Sequence, residues 1–180
     1  GQTEALNEFS ELQISQTFSA DQAVFLSAFD GLFISTNGGI NWTEKQTRKN
    51  LITGLAFSPN FIDDQRIIAT AYSSEGGFYT SSDKGATWSI GSVGWPNPSG
   101  LPIDGTEVDF VQNHVGPPLA VATTIGREIG FSSNYGESWN VFTIPPFPPL
   151  SDRVYINVFA LSQAFDSDQE IYIGTRLHGI

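Results

Sequence analysis

Three short segments of this chain share one pattern of residues, and that repetition constrains the fold more than any other feature. Each segment reads Ser-x-Asp/Asn-x-Gly-x-x-Trp, and the segments occupy residues 35–42, 81–88 and 132–139. The tryptophans that end them are 46 and 51 residues apart. A repeat of that length is typical of blades, solenoids or arrays built from one supersecondary unit. We refer to the segments as box 1, box 2 and box 3.

Each repeat is predicted to hold four short strands, with a fourth repeat beginning near the end of the chain. The predicted strands are 12–18, 23–28, 31–35 and 40–45, then 52–57, 66–71, 77–81 and 86–90, then 107–111, 119–123, 129–132 and 138–142, then 155–161 and 170–174. A repeated antiparallel unit of four strands and about 45 residues indicates an all-β fold, the β-propeller. The expected blades are 10–47, 50–92 and 106–144, with a partial blade at 152–180, so that the chain holds about three and a half blades.

A second repeated sequence pattern supports this assignment of strands. An Asp-Gln pair precedes the second strand of three repeats, at Asp21-Gln22, Asp64-Gln65 and Asp168-Gln169, and in the last two a phenylalanine stands before it, Phe61 or Phe165. The third repeat carries 113–118 in place of the pair.

The boxes are predicted to be hairpin turns between the third and fourth strands. The Asp or Asn side chain can accept hydrogen bonds from backbone N–H groups of its own loop. The glycine supplies a left-handed backbone conformation, and the tryptophan buries a large ring against the blade. The residues given this structural role are Ser35, Asn37, Gly39 and Trp42 in box 1, Ser81, Asp83, Gly85 and Trp88 in box 2, and Ser132, Asn134, Gly136 and Trp139 in box 3.

On these residues the boxes resemble the Asp-box, or bacterial neuraminidase repeat. That repeat is found in sialidases, sortilin-like receptors, xyloglucan-degrading glycoside hydrolases and a photosystem II assembly factor with a propeller fold. The run Phe-Ser-Pro-Asn-Phe-x-x-Asp-Gln at 57–65 also resembles long secreted repeat proteins of bacteria. The resemblance covers about 12–180 and implies a propeller in which the box is a turn remote from catalysis. Asn37 and Asn134 depart from the family's Asp, which argues against a calcium or carboxylate role for the box.

Composition narrows the classes of partner. The chain carries 19 acidic and 8 basic residues, a net charge of −11, which disfavours nucleic acid and anionic membrane surfaces. It has no cysteine, and no run of apolar residues is long enough to span a bilayer.

Because the first residue is not Met, we expect an exported, processed chain or a piece of a longer one, placed outside the cell, at its surface or in the periplasm. A closed propeller has typically 4–8 blades, so the remaining blades are expected from the same or another chain.

No catalytic residue is predicted. A sialidase needs an arginine cluster, but the arginines are scattered and are interpreted as solvated charges: Arg48, Arg66, Arg127, Arg153 and Arg176. Another glycoside hydrolase needs two carboxylates flanking a cleft. The candidate carboxylates are interpreted as turn caps and surface charges instead: Asp63, Asp64, Asp104, Glu107 and Asp109. His114 and His178 are the only histidines and lack a third ligand in sequence, so neither a metal nor another cofactor is expected.

Trp95 differs from the box tryptophans because it lies in a loop rich in proline and glycine, residues 91–105. An exposed indole there could stack on a sugar ring or anchor a protein partner. The alternative is that the ring folds back and covers the seam between two blades.

The leading hypothesis is a non-catalytic, exported propeller module that binds a protein or a glycan or serves structural assembly. The first alternative is a fragment of a xyloglucanase-like or sialidase-like glycoside hydrolase, so that enzymatic activity stays open. The second is a propeller like the photosystem II assembly factor, which would need a basic patch for its partner.

Overall fold

The computed structural model describes residues 9–15, 17–28, 31–46, 51–72, 77–96, 103–145 and 156–175. Three antiparallel sheets of four strands and one of two strands follow one another along the chain, and in each sheet the strands lie in sequence order. Blade 1 contains β1 (Phe9–Ile14), β2 (Val24–Ala28), β3 (Gly31–Ser35) and β4 (Thr43–Gln46). Blade 2 contains β5 (Leu51–Phe57), β6 (Ile67–Tyr72), β7 (Phe78–Ser81) and β8 (Ser89–Ile90). Blade 3 contains β9 (Gly105–Phe110), β10 (Ala120–Thr124), β11 (Glu128–Ser132) and β12 (Asn140–Thr143), and blade 4 contains β13 (Ile156–Leu161) and β14 (Ile171–Thr175).

Short helical turns follow the first strand in three blades: α1 (Phe18–Asp21), α2 (Phe61–Asp64) and α3 (Phe165–Asp168). The predicted extent of the first strand, 12–18, is therefore wrong at both ends, because β1 runs from Phe9 to Ile14 and Phe18 begins a helical turn. Each turn closes on a glutamine with a left-handed backbone, with φ of 51° at Gln22, 58° at Gln65 and 55° at Gln169.

The fourth strands begin later than predicted. Box 1 was expected to open a strand at residue 40, but β4 starts at Thr43, one residue after Trp42. The box tryptophans therefore precede the fourth strands, because the third strand ends at the box serine and the turn occupies the rest of the box.

The first strands of neighbouring blades contact one another, so these four strands converge at the inner edge of the blades. Each of them contains an irregularity in pairing with its second strand, which leaves one residue out of register: Ser10, Thr53, Thr106 or Asn157. In blade 2, the Thr53 hydroxyl donates to the carbonyl oxygen of Gly105 at 2.7 Å and so ties β5 to β9. Bulges of this kind are frequent at the rims of barrels and beside functional sites.

The blades pack face to face, and side chains that alternate along each strand fill the seams between them. Ile67 and Ile68 of β6 are both fully buried, yet Ile67 packs against blade 1 and Ile68 against blade 3. In the first seam, Phe25 lies 4.2 Å from Phe57 and 5.8 Å from Phe61 between ring centroids. Alternation with both faces apolar is what a strand between two packed layers requires.

Two further seams follow the same plan. The second joins blades 2 and 3 around Phe78, Phe110 and Trp139. The third joins blades 3 and 4 around Val121, Ile156 and Phe159. These stacked four-stranded sheets confirm the predicted all-β propeller architecture with about three and a half blades. The part of the chain that the structure describes contains no helix that could span a bilayer.

Candidate functional site

The three boxes share one hydrogen-bonded geometry. In each box the serine hydroxyl donates to the Oδ1 atom of the Asp or Asn side chain, at 2.9, 2.8 and 2.8 Å in boxes 1, 2 and 3. The glycine N–H donates to that serine oxygen at 2.9 Å in every box. The same Oδ1 atom also accepts the N–H of the residue before the tryptophan, at 2.9, 2.8 and 3.0 Å. Asn37 and Asn134 can replace Asp because the bonds shared by the three boxes use only the Oδ1 acceptor, which an amide supplies as well as a carboxylate does.

Positive backbone angles occur at two successive positions of each box, where one was predicted. The box glycines have φ of +90° at Gly39, +79° at Gly85 and +80° at Gly136. The residue before the glycine is also left-handed, including Lys84 at 57° and Tyr135 at 60°. The turn thus holds non-glycine residues in an unfavourable region because its hydrogen bonds hold the loop in place.

The box tryptophans are buried to different depths. Trp139 is 4% exposed, Trp88 is half-buried and Trp42 is 39% exposed. The indole N–H of Trp139 donates to the carbonyl oxygens of Gly91 at 2.8 Å and Gly136 at 3.1 Å. Since Gly91 belongs to the end of the preceding repeat, the box completes its burial against the blade before it.

The close surroundings of the box glycines also show that boxes 2 and 3 pack against the preceding blade. A Cβ placed on Gly85 of box 2 would lie 3.1 Å from Ile34 of blade 1. A Cβ placed on Gly136 of box 3 would lie 3.1 Å from Ile68 of blade 2. Each of these boxes therefore rests on the third or second strand of the preceding blade. Among the residues that the structure describes, a Cβ on Gly39 of box 1 would meet only Trp42 within 4 Å.

The helical turns form a second repeated element beside the boxes. The carboxylate of Asp64 accepts the Ser58 hydroxyl at 2.5 Å and the Arg66 N–H at 3.0 Å. Asp21 and Asp168 make the corresponding bonds to their own serine and backbone amide. The hydrogen bond from the Ser162 hydroxyl, together with the Glu170 N–H, holds the pKa of Asp168 below its usual range.

These turns also dock on the boxes. The carbonyl oxygen of Gln65 accepts the N–H of Lys84 in box 2 at 3.1 Å, and Gln22 accepts the N–H of Gly38 in box 1 at 3.0 Å. The helical turns and the boxes therefore lie at the same end of the blades, which we refer to as the box end.

The third repeat uses another contact at this end. The His114 ring nitrogen Nδ1 bonds to an oxygen of Asp166 in blade 4, and the N–H of Val115 donates to the other oxygen at 2.8 Å. The Val115 N–H, with His114, lowers the pKa of Asp166. His114 is thus paired with a carboxylate in the next blade.

Of the two interpretations of Trp95, the structure supports the one in which the ring covers the seam between two blades, and not the exposed ligand-binding ring. The ring is only 6% exposed and stacks on Phe78, with 4.3 Å between centroids and 12° between planes. It also lies 5.6 Å from Trp139, so that it fills the seam between blades 2 and 3, as the alternative had it. A ring packed between two blades is not available to stack on a ligand. Residues 97–102 of the same loop lie outside the described residues.

An open groove of about 240 Å³ lies at the box end between blades 2 and 3. Arg66 forms one side, where its Nη1 atom lies 3.2 Å from Oε1 of Glu137 in box 3. The guanidinium carbon is also 4.3 Å from the centre of the Tyr135 ring. The remaining lining residues are mainly hydroxyl-bearing: Thr80, Ser81, Ser82, Thr87, Ser89 and Ile90.

The charged pair of this groove has no counterpart at the first seam. By alignment on the Asp-Gln pair and the box, Ala23 and Ala86 stand at the first seam where Arg66 and Glu137 stand at the second. Sequence reasoning assigned Arg66 to solvent and did not single out Glu137, because the two are 71 residues apart. The departure of these two positions from their equivalents in the repeat is the signal that could have found them.

A second group of polar side chains lies on the inner strands. Burial raises the pKa of Glu107 to about 7. The hydrogen bond from the Phe159 N–H lowers this pKa, and the negative charges of Glu11 and Asp109 raise it further. That N–H of β13 donates to Oε2 of Glu107 at 2.6 Å. Burial likewise raises the pKa of Glu11. The pKa of Asp109 is also raised, because the surrounding protein removes water from part of its carboxyl group even though the side chain reaches solvent. Carboxylates from β1 and β9 therefore interact at the inner edge of the blades.

The other predicted candidates do not join these groups. Asp104 precedes β9, and its carbonyl accepts the Ile125 N–H at 3.1 Å. Asp63 is exposed on α2. Arg48, Arg153, Arg176 and His178 lie outside the described residues.

Comparison with known proteins identifies the fold. No family model matches the chain, and no curated protein matches it. Among solved structures it is similar to an ancestral GH74 enzyme, with a TM-score of 0.63 and 20% identity over 87% of this chain and 21% of that one. It is also similar to the extracellular domain of a putative hybrid two component system from B. thetaiotaomicron, with a TM-score of 0.57 and 12% identity over 85% of this chain and 18% of that one. YCF48 from Cyanidioschyzon merolae matches with a TM-score of 0.53 and 20% identity over 76% of this chain and 38% of that one.

The chain spans between about a fifth and two fifths of the length of these proteins. Identities of 12–20% establish the architecture alone. With the stacked sheets and repeated boxes, they show that this chain folds as part of a β-propeller.

Proposed function

We propose that this chain is a non-catalytic module of an exported propeller of the Asp-box type, and that it binds a glycan in the groove between blades 2 and 3. The observation that carries this proposal is the lining of the groove, which combines an Arg66–Glu137 pair with a wall of serine and threonine hydroxyls. The similarity to an extracellular domain supports the assignment to an exported protein.

The chemistry of the lining selects the ligand class. An apolar ligand is disfavoured because Ile90 is the one aliphatic residue among the lining residues. A polyanion is disfavoured because Glu137 faces the groove and the chain carries a net charge of −11. A neutral molecule with several hydroxyl groups can bond to the remaining donors of Arg66 and to the second carboxylate oxygen of Glu137 together, since sugar hydroxyls both donate and accept. A volume of about 240 Å³ suits a single sugar residue of a longer chain.

A glycan array probed with the labelled full chain tests the proposal, followed by calorimetry on the neutral oligosaccharides that bind. Ser89→Trp places a large ring in the groove from an exposed position. It is expected to weaken binding at least about tenfold, a loss of about 1.4 kcal/mol. The matched control is Thr43→Trp, the equivalent exposed position after Trp42 in blade 1, which should leave binding unchanged.

Arg66→Gln is a second variant because it removes the charge with little effect on folding, since exposed ion pairs contribute about 0–1 kcal/mol. It should also weaken the glycan at least about tenfold, as loss of a donor aimed at a ligand does. Binding by Ser89→Trp equal to that of the wild type, or an array without a bound neutral glycan, would refute the proposal.

Glycoside hydrolysis is the second candidate function, and the inner-strand carboxylates are the observation that favours it. A carboxyl group with a pKa of about 7 can serve as a general acid near neutral pH. Glu107 has that property, and the ionised partner would be Glu11 or Asp109, whose separation would determine the stereochemistry.

Incubation of the chain with soluble β-glucans and sialosides, with reducing sugars or free sialic acid as the readout, tests this candidate. Activity that is lost in Glu107→Gln and falls above about pH 7 would support it. The hydrolysis candidate would be refuted if the wild type releases no sugar. If Ser89→Trp still abolishes glycan binding in that case, the binding function alone remains.

A further inference from the structure

The arginine of the groove is held by two residues of one box. The Nη1 atom of Arg66 lies 3.2 Å from Oε1 of Glu137, and its guanidinium carbon lies 4.3 Å from the centre of the Tyr135 ring. Both partners belong to box 3, whereas the arginine comes from blade 2. A cation over an aromatic face is attracted by the electrons of the ring. An ion pair at one nitrogen and a ring against one face therefore act on the same side chain.

The Tyr135 ring is itself supported from two blades. It packs edge-on against the fully buried ring of Phe110 in β9, with 6.3 Å between centroids and 61° between planes. Partial burial and the negative charge of Asp64 in α2 raise the pKa of Tyr135, against the opposing effect of Arg66. The phenol thus stays neutral at physiological pH, and its ring provides a firm surface for the guanidinium.

The backbone at this position favours glycine, yet box 3 carries a tyrosine there. The residue before the box glycine has a positive φ in each box, 68° at Gly38, 57° at Lys84 and 60° at Tyr135. Glycine adopts such angles without the steric cost that other residues bear, as Gly38 does in box 1. A bulky residue held in this conformation points to a role for its side chain.

The first seam carries different residues at all three positions. By alignment on the Asp-Gln pair and the box, they are Ala23, Lys84 and Ala86. Lys84 interacts electrostatically with Asp21 of α1 instead. The arginine, the tyrosine and the glutamate therefore occur together at the seam that contains the groove, and the first seam has none of them.

We propose that Tyr135 is the positioning residue of the groove, and that its ring holds the Arg66 guanidinium so that the remaining N–H groups point at the ligand. This inference rests on the proposed glycan binding. A long side chain that is ordered only when the ligand arrives loses affinity, and a guanidinium fixed beforehand avoids that loss. Tyr135 is not among the residues described as lining the groove, so it acts through Arg66 rather than by touching the ligand.

The motion of the Arg66 side chain in the ligand-free chain tests the positioning directly. Nitrogen-15 relaxation of its Nε–H group gives an order parameter, which is about 0.85 for rigid groups and below about 0.6 for flexible ones. The group should be rigid in the wild type and in Tyr135→Phe, which keeps the ring face. It should become flexible in Tyr135→Leu, because an exposed ion pair alone holds a side chain weakly.

The matched control for this measurement is Lys84→Leu, which places the same leucine at the equivalent position of box 2. It should leave the order parameter of Arg66 unchanged. An equal order parameter in the wild type and in Tyr135→Leu would overturn the proposal, as would an equal decrease in Lys84→Leu. Far-ultraviolet circular dichroism verifies that each variant folds.

The glycan array, probed with each labelled variant over a range of concentrations, tests the consequence for binding. Tyr135→Leu should weaken the bound neutral glycans about threefold to tenfold, and Tyr135→Phe should change binding less than about twofold. In the Arg66→Gln background, Tyr135→Leu should cause no further loss, because no guanidinium remains to be positioned. Losses of the same size in both backgrounds would show that Tyr135 does not act through Arg66 and would overturn the proposal.

Failure of this inference can be told apart from failure of the proposed function. If Arg66→Gln weakens glycan binding and Tyr135→Leu does not, glycan binding stands and the positioning role is overturned. If no neutral glycan binds the wild type, the proposed function is refuted together with the role of Tyr135 in it. The order parameters then still decide whether the ring fixes the arginine.

Discussion

The box tryptophans offer a test of what buries them. If burial came from the box alone, the three rings would contribute equally, because the three boxes share one hydrogen-bonded geometry. If it comes from the preceding blade, truncation to alanine should destabilise the chain most at Trp139, less at Trp88 and least at Trp42.

The magnitudes follow from burial. Trp139 is 4% exposed and packs against Phe78 and Trp95, so Trp139→Ala should cost about 3–5 kcal/mol, the usual range for a buried aromatic. Trp42 is 39% exposed and has no preceding blade against its ring within the described residues. Trp42→Ala should therefore cost about 1–2 kcal/mol, since less apolar surface is removed from contact. A gap of about 2–3 kcal/mol between the two variants corresponds to a factor of 30 or more in the folding equilibrium constant.

Urea unfolding followed by far-ultraviolet circular dichroism measures these losses without relying on tryptophan fluorescence. Equal losses for Trp42→Ala and Trp139→Ala, within about 0.5 kcal/mol, would refute the reasoning that the preceding blade determines the burial.

Three further changes test other parts of the structure. Between pH 4.5 and about 7 the native state holds a proton on Glu107 that the unfolded state has lost, so the free energy of unfolding should fall as pH rises through this window. Urea midpoints measured against pH should show this decrease in the wild type and a weaker decrease in Glu107→Gln. Gly130→Ala should destabilise the chain and alter its near-ultraviolet circular dichroism, because the added Cβ would lie 2.6 Å from the Trp95 ring. Asp64→Ala should cost about 1–3 kcal/mol in urea unfolding, because it leaves the Ser58 hydroxyl and a backbone N–H without their acceptor; an unchanged midpoint would contradict the assigned role of this turn.

The architecture was accessible from the sequence because its signal is local and repeated. The Ser, Asp/Asn, Gly and Trp positions of one box lie within eight residues, and their chemistry specifies a turn wherever they recur. The helical turns were harder to predict from the sequence. In the first repeat, the serine and phenylalanine that precede Asp21 lie within the predicted strand 12–18 and were assigned to its end. Ser15 and Phe18 become recognisable only when aligned with Ser58 and Phe61.

The candidate sites were harder to predict because they join residues from different blades. Arg66 and Glu137 belong to adjacent blades, and nothing local in either segment indicates that they meet. Glu107 and Asp109 were singled out as carboxylates, but Glu11 was not, since its proximity depends on convergence of the first strands. For Trp95 both an exposed and a buried ring stayed open, because its loop is rich in proline and glycine and its burial depends on contact with Trp139, which is distant in sequence.

The division of β6 between two seams has a consequence for how the chain opens. Ile67 and Ile68 are adjacent in sequence but pack against different neighbours, so blade 2 loses one of its two apolar interfaces when either neighbour detaches. Local opening should then spread inward from both ends, as in other arrays whose stability is a sum over adjacent units. Amide hydrogens of β6 and β10 should accordingly exchange with solvent most slowly, and those of β1 and β14 most rapidly.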